Sequence, residues 1–165
     1  MKYTLISSAA LAFLLTWFQA TTAEDLASQL VGVWKWNSHM LKEVATGKVT
    51  YPFGEKPTGH LIYTKGGHLV FAVAGDNRKA PVAAAATDAE RVNLFNTMAA
   101  ASGSYKLEGN TLVVTYEGSW NQSWTGTTQK RQVEITGNKL TITSAPTKDP
   151  DGKEIIFVVT YDRLE

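Results

Sequence analysis

The sequence predicts an all-β protein of antiparallel strands with one helix around residues 88–100. Three observations carry this. Runs of strand length, alternating or apolar, recur from Gly32 to Arg163. Two-residue Gly-Asn links, Gly109-Asn110 and Gly137-Asn138, join successive runs as hairpins do. A single alanine-rich stretch breaks the pattern with helix-starting chemistry.

The first element lies outside the β pattern. Met1 and Lys2 make a short positive start, an apolar run extends from Leu5 to Phe18, and Thr21-Thr22-Ala23 ends on small residues before Glu24-Asp25. These are the three parts of a secretory signal peptide. The expectation is cleavage after Ala23, with residues 1–23 as signal peptide and 24–165 as one barrel-type domain. A membrane anchor is the competing reading; the run of about 14 residues falls short of the roughly 20 that span a bilayer.

The strands follow in order: Gly32–His39, Lys48–Phe53, Gly59–Thr64, His68–Ala74, Ser104–Glu108, Thr111–Glu117, Thr127–Thr136, Lys139–Ser144 and Glu154–Arg163. Gly66-Gly67 and Asp149-Pro150-Asp151-Gly152 mark two further turns. About nine such strands suit a closed barrel or a sandwich. Between them, Thr87-Asp88-Ala89-Glu90 forms a capping box, and Val92, Phe95 and Met98 make an apolar stripe. A helix over 88–100 is expected to pack on the strands by that stripe, as a fixed plug or as a lid. The preceding Ala80–Ala86 reads as a loop or a second short helix.

Strand parity assigns faces. Trp34 and Trp36 share one, Arg131, Val133 and Ile135 another, and Phe157, Val159, Tyr161 and Arg163 a third. Two arginines thus fall on otherwise apolar faces, where an unpaired guanidinium is costly.

Gly32-x-Trp34 near the start and Arg163 near the end resemble the lipocalin pattern. Pro52-Phe53-Gly54, Pro57-Thr58-Gly59-His60-Leu61-Ile62-Tyr63-Thr64, Gly67-His68-Leu69 and Trp124-Thr125-Gly126-Thr127…Arg131 resemble, in order, blocks of the bacterial and fungal lipocalin-like domain family. The chain departs from that family in lacking a His near Val114 and a Pro near Gln122. The resemblance implies an antiparallel up-and-down lipocalin-like β-barrel of about 8–10 strands. It also implies a structural contact in which Arg163 packs across the Trp34 ring at the barrel floor, and a cup for a small, mostly apolar molecule.

The expected cavity wall is Trp36, Tyr63, Leu69, Phe71, Tyr105 and Tyr161, with Trp120 and Trp124. Arg131 is the polar anchor, because a guanidinium binds a carboxylate or phosphate bidentately. Each aromatic also suits a plain packed core, and Arg131 a structural ion pair.

Charge and composition narrow the function. Sixteen Lys and Arg against fifteen Asp and Glu leave no basic stripe for nucleic acid. The absence of cysteine removes disulfides, thiolate metal sites and a cysteine nucleophile. Of the three histidines, His60 and His68 are expected to point outward and lack a third metal ligand, while His39 has no acidic neighbour at a useful spacing. No catalytic residue, metal or cofactor is assigned. The expected partner is a small apolar or amphiphilic ligand, with an anion among its forms; neither nucleic acid nor, after cleavage, a membrane span is expected, and monomer and dimer stay open. The favoured reading is a secreted or periplasmic carrier or sensor. A cofactor-free enzyme (isomerase, cyclase or hydrolase, using Tyr105, Tyr161, Arg131 or His39) and a filled structural barrel are the alternatives.

Overall fold

A computed structural model describes residues 23–149 and 151–165. The expected signal peptide therefore lies outside the described residues except for Ala23, which opens a helix, α1 (Ala23–Leu30). The sequence reading did not anticipate α1. The strands are β1 (Gly32–Glu43), β2 (Val49–Thr50), β3 (Thr58–Tyr63), β4 (His68–Ala74), β5 (Met98–Glu108), β6 (Thr111–Ser119), β7 (Thr128–Thr136), β8 (Lys139–Ser144), β9 (Thr147–Lys148) and β10 (Glu154–Arg163). Between β4 and β5 lies α2 (Asp88–Asn96), and a 3-10 turn occupies Gln122–Trp124.

All strand pairs are antiparallel. The order β1-β3-β4-β5-β6-β7-β8-β10 closes on itself through β1–β10, giving an eight-stranded barrel flanked by the short β2 and β9. Closure removes every long free edge, so each barrel strand finds partners on both sides. Side chains alternate inward and outward along the strands. In β4, Leu69, Phe71 and Val73 are buried while Val70 and Ala72 are exposed.

The core runs through the barrel interior as one cluster. Within it Leu30, Trp34 and Leu140 are fully buried, each contributing on the order of 2 kcal/mol through apolar burial. The Trp34 indole donates to the Leu30 carbonyl at 2.9 Å. The Arg163 guanidinium carbon lies 4.1 Å from the centre of the Trp34 ring, and its nitrogens donate to the carbonyls of Gln29, Val31 and Glu165. Arg163 thus fastens α1 and the C-terminal residues across the floor.

Several expectations are corrected. The Lys48–Phe53 strand shrinks to Val49–Thr50, because the chain turns at Pro52, which has no amide to donate, and the Gly54 amide bonds Tyr51 at 3.0 Å. The 88–100 helix stops at Asn96. From Met98 the chain joins β4, pairing Ala99 with Val73 and Ala101 with Phe71. Those alanines have helical propensity, yet each gains a ladder partner and burial in the wall, and tertiary pairing wins.

The capping box forms as expected, with Thr87 and Glu90 each holding the other's backbone amide. The stripe does not pack as expected. Val92 and Phe95 are 59% and 47% exposed, no residue of α2 is buried, and Met98 belongs to β5. Arg78 holds the end of α2 instead, donating to Leu94 O at 2.6 Å and Thr97 Oγ1 at 3.2 Å. Residues 80–86 form an irregular loop. Among the described residues, no helix is long and apolar enough to cross a membrane.

Candidate functional site

A partly enclosed cavity of about 260 Å³ occupies the barrel on the side of the core away from the floor. All eight barrel strands contribute to its wall. β1 supplies Trp36, His39 and Leu41; β3 and β4 supply Tyr63, Leu69 and Phe71; β6 and β7 supply Tyr116 and Arg131; and β10 supplies Phe157 and Tyr161. Phe53, Trp120 and Trp124 reach the same space from the connecting segments.

Its aromatic walls touch one another. Trp36 meets Tyr161 edge-on at 4.8 Å and Phe71 at 5.8 Å, measured between ring centres. Trp120 and Trp124 meet at 4.8 Å, and Tyr116 lies 5.4 Å from Trp124. Phe95 of α2 approaches Trp120 at 6.1 Å, which brings α2 to this side of the barrel.

Eight of the nine residues expected at the cavity lie along it. Tyr105 does not. Its hydroxyl donates to Thr64 O at 2.8 Å, its ring meets Tyr63 at 4.8 Å, and it sits beside Ala27, Ser28 and Val31 at the α1 end. Strand parity gave its face of the sheet but not its height along the barrel. His60 and His68 are exposed, and among the described residues no cluster of three or more metal-ligating side chains occurs.

Sequence reasoning missed His39 as a wall residue. Strict alternation from Trp36 would put Ser38 inward and His39 outward. A β-bulge between Trp36 and Ser38 inserts one residue, so Trp36 pairs with Tyr161 while His39 pairs with Val159 and faces the cavity. Tyr116 was missed for a simpler reason. It alternates with Leu112 and Val114, and that parity was available to find it.

The site has one cation. Arg131 Nη2 donates to the Tyr116 hydroxyl at 3.1 Å and to Gln129 Oε1, and its guanidinium carbon lies 4.6 Å from the Phe157 ring centre. Among the described residues it forms no ion pair with a carboxylate. Four buried nitrogens of cavity-lining residues have no hydrogen-bond partner among the described residues: Arg131 Nε, Trp36 Nε1, Trp120 Nε1 and His39 Nδ1.

Burial, aided by the Arg131 charge, lowers the His39 pKa to about 4, so the imidazole is neutral at pH 7. Burial raises the hydroxyl pKa of Tyr63 and Tyr161, and that of Tyr116 despite the opposing pull of Arg131. Among the described residues, no carboxylate side chain lines the cavity. The wall therefore offers apolar surface, protonated hydroxyls and one fixed positive charge, which suits holding and orienting a molecule.

No curated protein matches the chain. A solved structure of an uncharacterized protein from Bacteroides eggerthii aligns with it at 15% identity, covering 78% of this chain and 98% of that one, with a TM-score of 0.38. A family model described as a lipocalin-like domain matches residues 31–164, from just before Gly32-x-Trp34 to just after Arg163. With that match over nearly the whole barrel, the chain belongs to the lipocalin-like domain family.

Proposed function

We propose that the protein is a carrier or sensor that holds a small apolar or amphiphilic molecule in the barrel, and that it is exported to the periplasm or the extracellular space after cleavage of residues 1–23. The observation that carries the binding reading is the cavity of about 260 Å³ walled by touching aromatic rings. An apolar solute moved there from water loses its hydration cost and gains dispersion contacts with the rings. The leader grammar of Met1 to Ala23 supports the export reading.

The test uses the chain beginning at Glu24 and 3-phenylpropan-1-ol, a neutral probe of suitable size, followed by tryptophan emission and calorimetry. Saturable binding is expected, weakened in Trp36→Ala. Native mass spectrometry of the protein purified from its own host supplies a second readout, a retained small molecule. Absence of both saturable binding and any retained molecule would overturn the binding reading. Recovery of the full-length chain from the cytosol would overturn the export reading.

A further inference from the structure

Resting on that reading of the cavity, we propose that the ligand is a compact organic acid whose anionic carboxylate sits on Arg131 and whose ring-sized apolar body fills the aromatic wall.

The charge argument starts from what Arg131 lacks. A guanidinium half removed from water ordinarily faces a carboxylate, because its desolvation is otherwise uncompensated. Here its protein partners are a tyrosine hydroxyl, an amide oxygen and a ring face, all formally neutral. Both nitrogen bonds are made from Nη2, and Nε is buried without a partner among the described residues. The Tyr116 hydroxyl accepts from Arg131, so its own hydrogen is free to point at the same acceptor. Trp36 and Trp120 add two buried indole donors along the same wall. A wall with a fixed cation and, among the described residues, no carboxylate selects an anion with several acceptor lone pairs. A carboxylate is that group, and it matches the planar guanidinium.

Volume sets the size. A cavity of about 260 Å³ lies just below the roughly 300–1,000 Å³ of ordinary small-molecule sites. After a carboxylate, the remainder suits one ring or a short chain. The edge-on contacts of Trp36 with Tyr161 and of Trp120 with Trp124 present ring faces and edges rather than a long aliphatic channel.

The experiment compares 3-phenylpropanoate with 3-phenylpropan-1-ol by calorimetry at pH 7, on the parent, Arg131→Gln and Tyr116→Phe. On the parent the acid should bind about tenfold or more tighter than the alcohol, as expected for charge-assisted hydrogen bonds. Arg131→Gln should bring the two within about twofold, chiefly by weakening the acid. Tyr116→Phe should weaken the acid by a few-fold more than the alcohol, and it decides the matter if Arg131→Gln fails to fold. Hexadecanoate should bind more weakly than 3-phenylpropanoate. Equal affinities of acid and alcohol on the parent, or variants that bind the acid like the parent, would overturn the charge assignment and leave the carrier reading standing. Tighter binding of hexadecanoate would overturn the size assignment. Binding of neither phenylpropyl compound, with hexadecanoate also silent, would overturn this inference, and together with the absence of any retained molecule it would remove the carrier reading as well.

Discussion

Replacing Arg163 by alanine should lower global stability by about 3.5 kcal/mol. The guanidinium lies over a fully buried indole at 4.1 Å, a desolvated cation–π contact of about 2 kcal/mol. It also donates to the carbonyls of Gln29, Val31 and Glu165. Water can reach some of these carbonyls once the side chain is gone, so we count one charge-assisted bond, at about 1.5 kcal/mol. The sum, about 3.5 kcal/mol, corresponds to a drop in Tm of roughly 10 °C for a domain of this size. Urea titration followed by tryptophan emission and far-UV circular dichroism measures it, provided the two probes give coincident transitions. Arg163→Lys should recover less than half of the loss, because an ammonium cannot lie flat on the indole while reaching three carbonyls. A loss below about 1 kcal/mol for Arg163→Ala would mean that the guanidinium is solvated and the floor closes without it.

Two further predictions concern the wall. Unfolded His39 takes up a proton near pH 6.5 and folded His39 near 4, so the unfolded state binds more protons between these values and stability should fall as the pH is lowered from 6.5 to 4. The full span is about 3 kcal/mol, and His39→Phe should flatten that interval of the stability curve; equal slopes in parent and variant would place the imidazole in water. At Gly103, an added Cβ would lie 2.1 Å from the Thr115 carbonyl oxygen, beside the irregularity that separates the Ser102–Gly118 and Gly103–Tyr116 pairs. Gly103→Ala should destabilise by about 2 kcal/mol through forced separation of β5 and β6, and an unchanged urea midpoint would show that the two strands separate at little cost.

The β character, the hairpin links, the capping box and the faces of Trp34, Trp36, Arg131 and Tyr161 were all legible in the sequence. Each is set by chemistry local to a few residues: alternation of apolar side chains, Gly-Asn turns, and a side chain that reaches an amide three positions away. The two ends of the chain that meet at Trp34 and Arg163 were legible for a different reason, since the motif names a pair far apart in sequence.

Tertiary structure decided the rest. A β-bulge has no periodic mark, so only the pairing of β1 with β10 turns His39 and Leu41 inward. Parity along β5 set a face for Tyr105, but the stagger of closed strands set its height, at the α1 end and away from the cavity. Residues 98–101 carry alanines that favour a helix in isolation, and became strand because β4 offered partners and burial together. The positive charge of Arg131 was readable as a residue facing inward. That it stands among neutral partners, with no carboxylate opposite, is a property of eight strands meeting, because the groups able to neutralise it come from elements distant in the chain.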